Sequence, residues 1–181
     1  REISEALLPS HVILSLYLPG LLLSVAQGLL LPVLPLYAQS FDAPFLWVGL
    51  ILAADGLGLL VADLPAGGIL RKLNRRQGMG VGILLAGAAT LGMFWAGTVL
   101  AAFGLRLLAG MSAALYNVAR HSYIADQITV ATRGRQVALL GGVFRAGRFL
   151  GPLAGGALAA AASLRAPFLL YAAVCGLAGL I

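Results

Sequence analysis

Between residues 44 and 70 the chain reads PFLWVGLILAADGLGLLVADLPAGGIL, a long apolar run whose charged residues are Asp55 and Asp63. A helix needs roughly 20 apolar residues to cross the hydrocarbon core of a bilayer, and this run exceeds that length. The rest of the chain is similar, since 61% of its 181 residues are hydrophobic and 10% are charged, with a mean hydropathy of +0.99. An ordinary soluble domain carries about 25% charged residues. The composition therefore excludes a soluble enzyme and a disordered chain, and it predicts an all-α membrane protein.

Five further apolar stretches accompany this run, so the sequence predicts six transmembrane helices. In chain order the six stretches cover residues 11–37, 44–70, 78–96, 98–122, 136–162 and 166–181. Pro19, Pro32 and Pro35 fall within the first stretch, where they predict bends rather than a break because neighbouring helices can satisfy the freed carbonyl groups. The last stretch is too short to cross the bilayer, which predicts that the chain is a piece of a longer polypeptide.

The basic residues are distributed unevenly between the two predicted sides of the membrane. Eight of the twelve Lys and Arg residues fall on the side that holds the N-terminus, and Arg165 alone falls on the other. The positive-inside rule therefore predicts a cytoplasmic N-terminus. The net charge of +6 is spread over helix ends rather than gathered in one patch, so no nucleic-acid partner is expected. The Ala-, Gly- and Arg-rich composition with one lysine indicates a multi-pass protein of a bacterial plasma (inner) membrane.

Patterns that carry catalytic or metal chemistry are not found in this sequence. Cys175 is the single cysteine, and His11 and His121 do not have the spacing of metal ligands. A hydrolytic triad and a phosphate-binding loop are also lacking. We therefore expect neither an enzyme nor a bound cofactor or metal.

The strongest local motif is GRFLGPLAGG at residues 147–156. Gly147, Gly151 and Gly155 recur every four residues and so share one face of a helix, where small side chains allow a second helix to approach closely. Pro152 removes a backbone hydrogen bond and predicts a bend. A tight helix–helix contact explains this spacing by itself, and a role in transport is the alternative interpretation.

A second motif, GGILRKLNRR at residues 67–76, predicts a short cytoplasmic hairpin between the second and third helices. Its predicted functional residues are Gly67 at the helix exit and the cations Arg71, Lys72, Arg75 and Arg76. The cations can anchor the hairpin to acidic lipid headgroups. Alternatively, they form a charge latch with Asp126, the acid of the connection between the fourth and fifth helices. Both interpretations stay open.

Two ionisable residues lie near the middle of predicted spans. A charged side chain at the centre of a transmembrane helix costs about 2.5–3.5 kcal/mol, so Arg106 and Asp55 are candidates for proton coupling. Arg106 shares a helix face with Gly110 and Ala114, which directs it to a packed interior. Asp55 can couple to protons if desolvation keeps it neutral until water enters. The alternative is a structural Asp55–Arg106 ion pair, and Asp63 is expected to support the basic hairpin.

Further polar residues within the spans predict a cavity. Two arginines, Arg145 and Arg148, lie deep in the fifth stretch, where they can attract an anionic group of a substrate or snorkel towards water. The neutral residues of the predicted cavity wall are Gln27, Tyr37, Tyr116 and Asn117. Hydrogen bonds between helices are the alternative role for each of these neutral residues.

With these motifs in place, the chain resembles the N-terminal half of a major facilitator superfamily transporter along essentially its whole length. Residues 67–76 are similar to the family's loop signature, Gly-x-Leu-Ala-Asp-Arg-x-Gly-Arg-Arg, although Arg71 takes the position of the acid and Asn74 that of the second glycine. The sequence RLLAG at residues 106–110 is similar to the fourth-helix Arg-x-x-x-Gly motif associated with proton transfer. Residues 147–156 match the drug/proton antiporter motif Gly-x-x-x-Gly-Pro-x-x-Gly-Gly at each fixed position, and residues 31–37 resemble the end of the family's first helix.

The resemblance implies that residues 1–181 are an N-terminal half-domain built from two inverted three-helix repeats. A C-terminal half, missing here or supplied by another chain, would complete the transporter. The implied function is proton-coupled efflux of small lipophilic or drug-like molecules by alternating access, with Arg106 assisting proton movement. Membrane lipid, protons, the small-molecule substrate and the second half are then the partners. The alternative is a non-transporting membrane scaffold subunit in a larger complex.

Overall fold

The computed structural model describes residues 17–71, 73–127 and 133–180. In chain order its helices are α1 (Leu18–Leu30), α2 (Val33–Gln39), α3 (Phe45–Leu70), α4 (Arg75–Gly92), α5 (Val99–Gln127), α6 (Arg133–Ala161) and α7 (Ala166–Leu180). Within these described ranges the chain has no β-strand. The predicted all-α fold is confirmed.

Helices α1 and α2 are two parts of the first predicted span, and its residues 11–16 lie outside the described ranges. Pro32 has no N–H group, so the Gly28 carbonyl accepts a hydrogen bond from the Leu31 amide instead, at 3.1 Å. Leu31 and Pro32 both keep right-handed helical backbone angles. The chain therefore bends at this point and continues as a helix, as the prolines predict.

Four described segments are long and apolar enough to cross a membrane: Leu18–Gln39, Phe45–Leu70, Val99–Ala125 and Gln136–Ala161. Helix α4 starts with two arginines, and α7 is a shorter apolar helix. Two predicted boundaries are wrong. The third helix ends at Gly92 rather than at residue 96, and the fourth continues through part of the predicted polar connection to Gln127. The sequence from 118 to 127 is polar but contains neither glycine nor proline, so nothing in it breaks the helix.

The helices pack as two equivalent groups of three. One group is α1 with α2, α3 and α4, and the other is α5, α6 and α7. Helix α1 packs along α6, α3 along α5, and α4 against both α5 and α7, while α7 also contacts α1. In chain order, α1 corresponds to α5, α3 to α6 and α4 to α7. When each helix is replaced by its counterpart, the α1–α6 contact becomes the α5–α3 contact. In the same way, the α4–α5 contact becomes the α7–α1 contact. Two inverted three-helix repeats produce this pattern.

The end of the bundle away from the basic hairpin is closed by aromatic residues. The Tyr37 hydroxyl donates a hydrogen bond of 2.7 Å to the Met93 carbonyl. The Tyr37 ring meets Phe168 edge to face, with centroids 4.8 Å apart, and Phe41 at 5.0 Å. Tyr37 is buried here rather than on a cavity wall, and its hydroxyl group has a carbonyl acceptor on Met93, the residue that follows α4. Its predicted role in a cavity is wrong, and the hydrogen bond between helices is the correct interpretation.

Candidate functional site

A cavity of about 830 Å³ with both polar and apolar lining residues lies between α1, α3, α5, α6 and α7. Pockets for drug-sized ligands have volumes of about 300–1,000 Å³. The candidate residues of the sequence that line it are Gln27, Asp55, Arg106, Tyr116, Asn117, Arg145 and Arg148. The structure thus brings together residues that were separate candidates on four helices.

Arg106 of α5 and Asp55 of α3 form an ion pair on the cavity wall, with 3.4 Å between Arg106 Nη1 and Asp55 Oδ1. The Arg106 side chain is 13% exposed, and that of Asp55 is 42% exposed. The Asp55 side chain lies where α3 borders the cavity, and its expected coupling to protons stays a prediction. The ion pair, which was the alternative interpretation, is present.

Two glycines allow α3 and α5 to come close enough for this pair. A Cβ atom on Gly58 would overlap the Leu107 carbonyl oxygen and lie 2.8 Å from the Met111 nitrogen. A Cβ atom on Gly110 would overlap the carbonyl oxygen of Asp55. These neighbours are backbone atoms, so a side chain at either position would push the helices apart.

The three glycines that recur every four residues in α6 all face α1: Gly147, Gly151 and Gly155. Added Cβ atoms would overlap Ser24 Oγ, Gly28 Cα and the Leu29 carbonyl oxygen, respectively. The contact is reciprocal, because a Cβ atom on Gly28 would lie 2.8 Å from the Cα atom of Gly151. The spacing therefore builds a close helix–helix contact.

The other two candidates of this motif differ in position. Pro152 lies inside α6 and also faces α1, with its Cδ atom 3.1 Å from the position of a Cβ atom on Gly28. Gly156 lies off the contact, and a Cβ atom there would meet nothing within 4 Å. Packing therefore requires a glycine at positions 147, 151 and 155 but not at 156.

Two arginines of α6 line the cavity one turn apart. Arg148 donates a hydrogen bond of 3.4 Å from Nη2 to Oε1 of Gln27. Arg145 makes no hydrogen bond or ion pair within the described part of the chain. Each guanidinium group therefore keeps N–H donors that can form hydrogen bonds to a molecule bound in the cavity.

The sequence reasoning missed two charged residues of the cavity wall. Arg120, one of the eight basic residues on the predicted cytoplasmic side, lines the cavity, with its guanidinium carbon 4.5 Å from the ring centroid of Phe144 and 5.4 Å from that of Tyr116. Asp63 was expected to support the hairpin, and it also lines the cavity. A usable signal existed for Asp63, because residues eight apart on a helix, such as Asp55 and Asp63, lie on one face.

Three further residues of the wall that were not predicted carry a ring: His121, Phe144 and Tyr171. No group of three His, Cys, Asp or Glu side chains that could hold a metal ion occurs in the described residues.

The basic hairpin has the expected position between α3 and α4. The Asn74 amide donates to Gln77 Oε1 at 3.3 Å, which fixes the start of α4 at Arg75 and Arg76. Gly67 does not mark the helix exit, since α3 continues to Leu70, and a Cβ atom on Gly67 would meet nothing within 4 Å.

The proposed charge latch depends on residues that are only partly described. Arg71 follows α3 directly and is exposed. Lys72 lies outside the described residues, and Asp126 lies in α5 with a side chain that is outside them. The latch therefore stays a prediction.

Comparison with known proteins gives one consistent family. The family described as Major Facilitator Superfamily matches residues 16–181. The chain is 27% identical over 154 residues to an uncharacterized MFS-type transporter of Methanocaldococcus jannaschii, covering 85% of the chain and 39% of that relative. It is 28% identical over 148 residues to multidrug resistance protein 2 of Bacillus subtilis, covering 81% of the chain and 36% of that relative. It is 30% identical over 155 residues to the quinolone resistance protein NorA of Staphylococcus aureus, covering 84% of the chain and 39% of that relative. The chain spans less than half the length of these curated relatives.

Proposed function

The chain belongs to the major facilitator superfamily, and from this premise we propose that it forms half of a proton-coupled exporter of small lipophilic molecules. Members of this family are transporters rather than enzymes, and the chain is a multi-pass membrane protein. The names of two relatives, a multidrug and a quinolone resistance protein, support export of drug-like molecules.

The observation that carries the proposal is the Arg106–Asp55 ion pair on the wall of the cavity. Two charges in membrane-spanning helices are costly, so they mark a functional site by default. Arginine stays protonated in proteins, whereas a carboxylate can accept a proton. Asp55 is therefore the proton carrier, and Arg106 is the group that responds to its charge.

In the proposed cycle, a proton from water in the cavity binds to a carboxylate oxygen of Asp55. The neutral carboxyl group no longer attracts Arg106, so the contact between α3 and α5 weakens at the level of the cavity. Loss of the proton on the other side of the membrane restores the ion pair. Alternating access then follows from coupling this change to the position of the second half of the transporter.

The second half lies opposite the cavity in this proposal. It is supplied by a C-terminal part of the same polypeptide or by a second membrane chain, and the substrate binds between the halves near the bilayer midplane. The N-terminus of the chain lies in the cytoplasm of a bacterial cell, as the distribution of basic residues favours.

The test uses everted membrane vesicles that contain the complete native protein, with a pH gradient as the driving force. We expect accumulation of at least one of three pyrene dyes (neutral, anionic or cationic), and we expect a protonophore to abolish it. Asp55→Asn should abolish gradient-driven accumulation. Asp63→Asn, which removes a carboxylate from the same helix and the same cavity but leaves the ion pair, should retain it. Equal transport by the wild-type protein and Asp55→Asn would refute the coupling role.

The scaffold alternative has one observation in its favour, the basic residue Arg71 at the position where the family's loop signature has an acid. A scaffold would accumulate none of the dyes and would co-purify with other membrane proteins in a fixed ratio. The cavity between the helices favours transport, because a scaffold has no need of charged residues inside the bilayer.

A further inference from the structure

We infer that the cavity selects amphipathic organic anions, meaning small molecules with an apolar body and a single carboxylate-type group. This inference rests on the proposed export function and names its substrate class. Two features of the cavity wall support it: the arginine pair of α6, which makes the charge balance of the wall positive, and the aromatic surface beside Arg120.

The charge balance of the wall is positive. Among the residues that the structure describes, its charged side chains are Arg106, Arg120, Arg145, Arg148, Asp55 and Asp63. One arginine and one aspartate neutralise each other in the Arg106–Asp55 ion pair. Three guanidinium groups then share the cavity with a single remaining carboxylate. In surroundings of low dielectric constant such an excess repels cationic guests and attracts anionic ones.

The arginine pair of α6 supplies the binding groups for the anion. Arg145 and Arg148 are three residues apart and so lie on the same side of the helix. Arg148 has only the neutral Gln27 as a hydrogen-bond partner, and Arg145 has none among the described residues. Guanidinium groups bind carboxylates through two parallel hydrogen bonds, which a neutral or cationic guest cannot accept in this way.

The apolar body of the guest has a matching surface. Arg120 is stacked over the ring of Phe144 and lies near that of Tyr116. The two rings and the flat guanidinium group form one side of the cavity, against which an aromatic guest can pack. The anionic group and the apolar body are thus both accommodated within about 830 Å³.

The test compares three pyrene probes that differ only in the terminal group: pyrenebutyrate, pyrenebutanol and pyrenebutylammonium. Binding to the complete protein in lipid nanodiscs is measured by fluorescence anisotropy, with empty nanodiscs as the blank. We expect the butyrate to bind at least about tenfold more tightly than the butanol, because hydrogen bonds to ionised groups are the strong ones. The ammonium probe should bind most weakly.

The double variant Arg145→Gln/Arg148→Gln should lower the affinity for pyrenebutyrate by about tenfold or more and leave that for pyrenebutanol unchanged. Retained binding of the neutral probe shows that the cavity is still folded. Arg165→Gln is the control, since it removes one positive charge at the opposite end of the bundle, where Arg165 donates to the Phe94 carbonyl at 3.0 Å. This control should keep the wild-type preference.

Equal or tighter binding of the neutral or cationic probe would overturn the inference, and so would a preference for the anion that survives in the double variant. Either result would leave the export function intact if the vesicles still accumulate dye. Conversely, selective binding of the butyrate without any gradient-driven accumulation would support the inference and refute the export function.

Discussion

Gly110 packs directly against the backbone carbonyl group of Asp55. One turn earlier on the same helix, Arg106 pairs with the side chain of that aspartate. The backbone and the side chain of Asp55 are therefore both held by α5, so the distance between the helices and the geometry of the ion pair depend on each other.

This dependence predicts the effect of Gly110→Ala. The added methyl group overlaps a backbone atom, so the helices must separate, and we expect a loss of about 1–3 kcal/mol in the free energy of unfolding. Thermal unfolding in detergent measures the change, and gradient-driven dye accumulation should fall with it. Gly104→Ala is the matched control on α5, because a Cβ atom there meets nothing within 4 Å. If both variants unfold at the same temperature, the close approach is not required.

The ion pair should appear as non-additive stability. Asp55→Asn and Arg106→Gln each leave one charge without its partner, whereas the double variant removes both charges. We expect the double variant to be more stable than the sum of the single effects predicts, by about 0.5–1 kcal/mol, because the pair is only partly buried. Additive effects in thermal unfolding would show that the two side chains do not interact.

The glycine motif of α6 predicts a contrast between neighbouring positions. Gly151→Ala places a methyl group on the Gly28 backbone and should destabilise the α1–α6 contact by about 1–3 kcal/mol. Gly156→Ala occupies open space and should be neutral or slightly stabilising, by up to about 1 kcal/mol, since alanine favours helix. The measurement is again thermal unfolding. A destabilised Gly156→Ala variant would indicate that the second half of the transporter packs on this face.

The orientation of the chain can be tested by cysteine labelling. Cys175, the single cysteine of residues 1–181, is fully buried, so its reaction with a membrane-impermeant maleimide should be negligible. In intact cells, Arg165→Cys should react from outside, whereas Arg75→Cys should react only after the membrane is opened. The reverse pattern would place the N-terminus outside the cell.

The sequence predicted the helices well and individual cavity residues in part. Arg106, Asp55 and Arg148 stand out because a charge within an apolar run is costly, and that cost can be read without a structure. The place of Arg120 on the cavity wall and the burial of Tyr37 were not predicted, for a different reason. Periodicity gives the face of a helix on which a residue lies, but not how far the helix extends beyond its apolar part or which neighbour that face meets.

The interleaved packing of the two three-helix groups has a mechanical consequence. Helix α1 packs on α6 and α3 packs on α5, so the two groups are in close contact at two places. Glycines bring the helix backbones together at both places. Sliding one group past the other would have to separate both of these helix–helix contacts at once. The helices of the two groups should therefore move as one rigid unit during a transport cycle, with the hinge outside them.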